Sequence, residues 1–248
     1  MTSRVAVITG GASGIGFAVA EHLVRAGHRI GLLDLDGERA SKAADELRVG
    51  GAEVVSVEVD VTDRVAVASA VDVVRTAFGP IGIVVTSAGI DESAAVTDIT
   101  EESWARVLDV NLTGTFYAIQ PVVADMKAAG WGRIVTISSQ AAQSGAPMMA
   151  HYAASKGGVI SLTKSLAYEL SGDGITANTI PPSIIDTPMA QEGVRAGVIP
   201  DLDVLATMTL VRRIGTPNDV AAACAFLCSD DAGFITGQLI GVNGGMYM

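Results

Sequence analysis

Tyr152 and Lys156 stand four apart in the stretch "HYAASKGG", residues 151–158. On a helix that spacing puts both side chains on one face, one turn apart. A free phenol titrates near ~10, and a neighbouring cation lowers that value by favouring phenolate. The pair therefore has the makings of an acid–base group working near neutral pH. Tyr-x-x-x-Lys also occurs as an ordinary surface pair, so its position decides its meaning. The stretch "TISS" ends thirteen residues before the tyrosine and brings Ser138 and Ser139 to the end of a predicted strand.

A second constellation lies near the N-terminus, where "ITGGASGIG" joins a predicted strand to a predicted helix. Gly10, Gly14 and Gly16 permit a tight turn and close approach of a ligand to the backbone. Ser13 is expected to cap the helix, whose free N–H groups and dipole favour a pyrophosphate. The run does not fit G-x-G-x-x-G, since counting from Gly14 and Gly16 the third position is Val19. Asp34 falls at the end of the second predicted strand, 18 residues past Gly16, where a carboxylate can accept bonds from an adenosine ribose. Asp60, in "DVTD", ends the third. Three features at one sheet edge point to a dinucleotide.

The elements that must position these groups alternate along the chain. Strands are expected at 4–10, 28–35, 53–61, 81–89, 132–139, 174–181 and 238–245, several of them apolar on both faces. Helices are expected at 14–26, 38–48, 63–78, 101–129, 151–171 and 217–228. This order predicts an α/β fold: a doubly wound, Rossmann-type three-layer sandwich around a seven-stranded parallel sheet. No linker, charge block or repeat divides residues 1–248, so a single domain is expected, with a substrate loop near 183–213.

Composition narrows the function classes. A net charge of −11 argues against a nucleic-acid partner. No apolar run reaches the ~18 residues of a membrane span, and the first apolar run opens at Val5, so a cytoplasmic protein is expected. The two cysteines, Cys224 and Cys228, have no His or acidic partner nearby and read as buried apolar residues. No metal site is expected.

Taken together, these residues resemble the short-chain dehydrogenase/reductase family in its ~250-residue form, over essentially the whole chain. "TGGASGIG" is similar to the family's cofactor turn through Thr9, Gly10, Gly14 and Gly16, with Ser13 and Ile15 inside it. "NLTG" supplies Asn111, "ISS" supplies Ser139, and "YAASK" supplies Tyr152 and Lys156. The resemblance implies that Tyr152 is the acid–base and that Ser139 orients the reacting oxygen. It implies that Lys156 lowers the tyrosine pKa and holds a nicotinamide ribose, and that Asn111 positions a water. Ser138 is expected to face away, because strand neighbours point to opposite sides. The same resemblance puts Asp60, Val61, Ser87, Ala88, Gly89 and Pro182 along the cofactor, with Ile185 and Thr187 at its carboxamide.

Two positions depart from the family pattern. Thr86-Ser87 stands where two asparagines are usual, and Ser183 stands where glycine usually follows Pro182.

The implied activity is hydride transfer between NAD(H) and a secondary alcohol or its ketone. NAD is expected over NADP because the carboxylate of Asp34 opposes a 2′-phosphate, although Arg39 lies close downstream. The C-terminal "ITGQLIGVNGGMYM" resembles 3-oxoacyl-carrier-protein reductases, with Arg133, Arg212 and Arg213 as a candidate basic patch for an acidic carrier. A non-catalytic dinucleotide sensor is the alternative from another class. Met189, Val194, Val198, Ile199, Leu202, Leu205 and Met208 are expected either to wall an apolar pocket or to pack on the protein or another subunit. The resemblance also implies a homotetramer joined through the helices of 101–129 and 151–171 and through the last strand.

Overall fold

The computed structural model describes residues 3–248. Its centre is a parallel sheet of β1 (Val5–Thr9), β2 (Arg29–Asp34), β3 (Val54–Glu58), β4 (Ile81–Thr86), β5 (Gly132–Ile137) and β6 (Ile175–Ile180). The spatial order is β3-β2-β1-β4-β5-β6. The chain reverses its direction of travel between β1 and β4, which opens a crevice at their carboxyl ends.

Side-chain alternation along the strands feeds two separate cores. Ala6 and Ile8 of β1 pack on one face with α1 (Gly14–Arg25), α2 (Gly37–Arg48) and residues of the late helix over Pro217–Leu227. Val5 and Val7 pack on the other with α3 (Arg64–Phe78) and with apolar residues of the segment 118–126 and of 167–170. Both faces of the sheet are thus covered, and the expected three layers are present.

Among the described residues the sheet has six strands rather than the expected seven. The segment expected as the last strand runs beside β6 but pairs only at isolated points, Thr179 with Leu239 and Pro182 with Val242. Gly237, Gly244 and Gly245 there take positive φ, which interrupts an extended ladder.

The expected long helix over 101–129 is also broken. It divides into α4 (Glu101–Leu108), a π-helical turn at Asp109–Thr113, α5 (Gly114–Ile119), a 3₁₀ turn containing Pro121, and α6 (Val123–Ala129). At the π turn the Gly114 N–H bonds the Asp109 carbonyl, five residues back. Gly114 has no room for a side chain, since an added Cβ would sit 2.8 Å from Val61 Cγ2. The wider turn therefore seats the helix directly on the segment leaving β3. Pro121 lacks an N–H and ends the second stretch.

The remaining helices are α7 (Ala141–Ser144), α8 (Ala150–Leu170), α9 (Pro188–Arg195), α10 (Leu202–Ala206) and α11 (Pro217–Leu227). The first of these follows β5, and α8 runs from the catalytic stretch down to the base of β6. The excursion after β6 carries α9 and α10, so it is a short helical cap rather than an irregular loop. Cys224 and Cys228 are free and buried against α1 and β6 neighbours, as apolar residues would be. No helix among the described residues is long and apolar enough to cross a membrane.

Candidate active site

The turn after β1 is built for a ligand's phosphates. Gly10 has φ +63° and lies so close to the exit of β4 that an added Cβ would be 2.8 Å from the Ala88 backbone. The hydroxyl of Thr9 accepts hydrogen bonds from the N–H groups of both Ser87 and Ala88, each at 3.2 Å. This clasp does the bracing expected of the family's asparagines, because Thr86 Oγ1 is buried without a partner. Gly16 is buried against the Gly10 carbonyl and shapes the turn without bordering the groove.

Beyond the turn, α1 starts at Gly14 with no acidic residue in its first turn. The Ser13 side chain makes no capping bond. The N-terminal N–H groups and the serine hydroxyl are thus left for an anion, which is the fit a pyrophosphate requires. Asp34 accepts from the Ala12 N–H at 3.0 Å and from the Asp36 N–H at 3.1 Å. One carboxylate so fixes the glycine turn and stands in the groove beside it.

That groove encloses about 400 Å³ and gathers Gly10, Ser13, Gly14, Ile15, Asp34, Asp60, Val61, Ser87, Ala88, Gly89 and Thr187. A second cavity of about 370 Å³ adjoins it, sharing Ile15, Ser87, Gly89 and Thr187. It gathers Ser139, Tyr152, Lys156, Pro182 and Ile185. Each volume is of the size ordinary ligand sites have. The two together form one cleft at the carboxyl edge of the sheet.

Tyr152 and Lys156 lie one turn apart on α8 as expected, with the Lys156 Nζ 5.9 Å from the tyrosine ring centroid. Nζ donates to the carbonyl of Ile137, the last residue of β5, at 3.1 Å. Burial lowers the lysine to a pKa of about 8. Burial pushes the Tyr152 phenol upwards, and this outweighs the hydrogen bond with Ser139 that favours phenolate. The carboxylate of Asp91 adds to the upward push.

Ser139 accepts a bond from the Ala141 N–H at 3.2 Å, which anchors the hydroxyl at the start of α7. Ser138 stands beside the cavity, but its Oγ is buried without a partner, as expected of a hydroxyl turned away from the open space.

Asn111 sits in the π turn and lines neither cavity. It is wholly buried, and its carboxamide is used three ways. It accepts from the Ile90 N–H at 2.9 Å and donates to the Ile90 carbonyl at 2.9 Å and to Ser155 Oγ at 3.0 Å. Thr115 Oγ1 donates to the Asn111 backbone carbonyl at 2.8 Å. The residue ties the exit of β4 to α8, behind Lys156.

Ser183 has a negative φ, since Met148 and Arg212 are the only non-glycine residues among those described with positive values. The serine therefore imposes no backbone strain where the family has glycine. Thr187 caps α9 by accepting from the Ala190 N–H at 3.2 Å while bordering both cavities. Of the seven apolar residues expected in the capping loop, Met189 and Ile199 line the catalytic cavity. Leu205 is buried in the protein, whereas Val198 and Met208 are exposed.

Two of the three arginines of the expected basic patch are engaged within the chain. Arg133 is buried, stacked 4.4 Å from the Trp131 ring centroid and bonded to the Ser229 carbonyl. Arg213 is held by both oxygens of Asp219 at 2.7 Å each.

Sequence reasoning missed Asp91, Gln140, Met149 and Met246 on the cavity wall. Asp91 follows Gly89 at the same sheet edge and was open to discovery. Met246 reaches the site only through the C-terminal fold-back, which no local pattern announces.

The buried lysine has a measurable consequence. Its folded pKa of about 8 lies below the 10.5 of a free lysine side chain, so the folded chain holds fewer protons than the unfolded chain between those values. Stability then rises with pH across that window, and the penalty is full below it. Urea unfolding of the cofactor-free protein should show Lys156→Met more stable than wild type at pH 7, by up to about 3 kcal/mol. The gap should close as pH rises towards the upper value. A gap that stays constant with pH would show that the ammonium is not desolvated.

Comparison with known proteins agrees with this geometry. The family profile described as "Enoyl-(Acyl carrier protein) reductase" matches residues 10–247. The chain is 36% identical to "2-(S)-hydroxypropyl-CoM dehydrogenase 3" of Xanthobacter autotrophicus, over 99% of this chain and 97% of that protein. It is 37% identical to the "3-oxoacyl-[acyl-carrier-protein] reductase MabA" of Mycobacterium avium, over 99% of this chain and 91% of that one. The crystal structure of gox2181 superposes with a TM-score of 0.93 at 36% identity, covering 99% of this chain and 96% of that one. With the glycine turn, the Ser–Tyr–Lys set and full-length likeness all in place, the chain belongs to the short-chain dehydrogenase/reductase family.

Proposed function

We propose that this oxidoreductase moves a hydride between NAD(H) and a secondary alcohol or its ketone. The observation that carries the reading is the convergence of Ser139, Tyr152 and Lys156 on a cavity continuous with the dinucleotide groove. The nicotinamide ring, when bound, supplies the hydride acceptor or donor. The protein's own residues handle the proton and the geometry. Ser139 hydrogen-bonds the substrate oxygen. Tyr152, neutral at rest because burial raises its pKa, donates a proton to a carbonyl oxygen in reduction. In oxidation the phenol first gives its proton to solvent, and the phenolate oxygen then takes the alcohol proton beside the ammonium of Lys156. Apolar side chains of Ile137, Met149, Ile184 and Met189 exclude water from the reacting carbon.

Reduction of 3-oxoacyl thioesters is the second reading, favoured by the relatives' printed activities. The pairing of Arg133 and Arg213 inside the chain weakens it for an acidic carrier protein. A non-catalytic sensor is disfavoured by an intact Ser–Tyr–Lys set. A cytoplasmic setting fits two free, buried cysteines.

The NAD preference rests on Asp34. Its carboxylate faces the groove, and Arg39, the one cation on that wall among the described residues, is paired with Asp36 at 3.1 Å. A 2′-phosphate there meets a like charge and no free cation. NADH should therefore exceed NADPH in kcat/KM by roughly a hundredfold, at 1.4 kcal/mol per tenfold. Asp34→Asn keeps an acceptor for the Ala12 N–H and should narrow the gap. Equal or better efficiency with NADPH in the unmodified protein would end the assignment.

We also propose a homotetramer. An added Cβ at Gly157 on α8 meets nothing within 4 Å, so that helix offers a small-residue face to a partner, while Gly158 packs inside on Leu112. Tyr168 on α8 and Phe234 near the C-terminal segment are 94% and 103% exposed, and a partner chain would cover them. Light scattering at micromolar concentration should return the mass of four chains, and a monomer mass would refute the assembly.

A further inference from the structure

The chain leaves β4 through Ile90, Asp91 and Glu92, and contacts on both sides hold this segment still. Ile90 is clasped in both directions by the Asn111 carboxamide, at 2.9 Å each way. Glu92 turns towards α4, where it accepts from Ser103 Oγ at 2.9 Å and from Arg106 at 2.5 Å. Two residues on, the Ala94 N–H donates to the Met148 carbonyl at 2.8 Å, tying the segment to the loop before α8.

Between these anchors Asp91 borders the catalytic cavity together with Ser139, Tyr152 and Lys156. No cation among the described residues lies within ion-pair distance of its carboxylate, and no side chain donates to it. Its surroundings on the wall are mostly apolar, including Ile90, Ile137, Ala146, Met149 and Ile184. Lys156, the cavity's only basic side chain, is committed to the Ile137 carbonyl.

Asp91 is exposed where it borders the cavity, and among the described residues its carboxylate has no cationic or side-chain partner. Partial burial raises its pKa, and its own backbone N–H offsets part of that rise. Asp91 also raises the Tyr152 phenol, which puts the two groups within electrostatic reach of each other. No cation of the protein neutralises the acid, and the backbone that presents it is fixed in advance.

We propose that Asp91 sets substrate specificity by accepting a charge-assisted hydrogen bond from an ammonium group on the substrate. The preferred substrates are then secondary alcohols or ketones that carry a protonated amine, and the proposal rests on the hydride-transfer reading above. In oxidation the carbinol C–H bond breaks, with its hydride going to NAD⁺ and the hydroxyl proton to Tyr152. The amino ketone, NADH and one proton result, and the ammonium stays paired with Asp91 throughout. A charge-assisted bond of this kind is about twice as strong as a neutral one. The same carboxylate repels substrates that carry a carboxylate near the reacting carbon.

The test compares 1-amino-2-propanol with its apolar isostere 2-butanol and with 3-hydroxybutyrate, using the purified enzyme with NAD⁺ near neutral pH. The wild type should prefer the amine over 2-butanol by roughly tenfold or more in kcat/KM, mostly through KM. The hydroxy acid should be poorest. Asp91→Asn should bring the amine-to-butanol ratio towards one and relieve discrimination against the acid. Saturation-transfer NMR should show the amine binding to the wild type more strongly than to the variant. The wild-type comparison needs no variant, so a folding defect in Asp91→Asn leaves it standing. Turnover of 2-butanol as efficient as that of the amine would overturn the role of Asp91 and leave the hydride-transfer reading intact. A wild type that oxidises none of the three would overturn both.

Discussion

A lysine ammonium held almost wholly out of water is the constraint around which this site is arranged. Lys156 is 5% exposed, and its pKa falls to about 8. The ammonium sits where two elements meet. The end of β5 supplies the Ile137 carbonyl. The exit of β4 passes at Gly89, where an added Cβ would stand 3.2 Å from Nζ and 3.1 Å from Asn111 Oδ1. Without the Ile137 carbonyl the charge would be desolvated and without a hydrogen-bond partner, which costs far more than an ordinary surface contact is worth. The energy spent in burying the lysine places a cation within reach of the tyrosine, in a pocket where water cannot screen it.

The π turn in the long helix follows from the same demand. A regular helix over 101–129 would carry its side chains past the exit of β4 in a different register. The extra residue in the turn brings Asn111 inward, where its carboxamide holds Ile90 and Ser155. Gly114 then seats the helix on Val61, at the edge of the dinucleotide groove. One irregularity thus serves the cofactor wall, the lysine and the segment that presents Asp91. π turns are concentrated at functional sites for this kind of reason.

Much of the fold was legible because its signals are local. Six of the expected strands carry β-branched runs bounded by turn residues, and each appears within three residues of its expected limits. The segment 238–245 misled because its apolar residues do lie beside β6, while its glycines prevent a continuous ladder. The break at Pro121 was visible in the sequence, whereas the π turn depends on contacts from Val61, Ile90 and Ser155 that are distant along the chain. Within the site, residues on the glycine turn and on α8 could be read from spacing. Asp91 could have been read from its place just past Gly89 at the same sheet edge, whereas Met246 is brought to the cavity by tertiary packing alone.

In the proposed chemistry Tyr152 moves the proton, and its ring also forms part of the wall beside Lys156. Tyr152→Phe removes the hydroxyl and keeps the ring, so it separates chemistry from binding. Single-turnover hydride transfer followed at the nicotinamide absorbance, beside NADH affinity by fluorescence titration, measures both in one preparation. The account predicts a rate lower by about a thousandfold, within the range acid–base groups supply, and an NADH Kd close to that of the wild type. A rate within tenfold of wild type would contradict it.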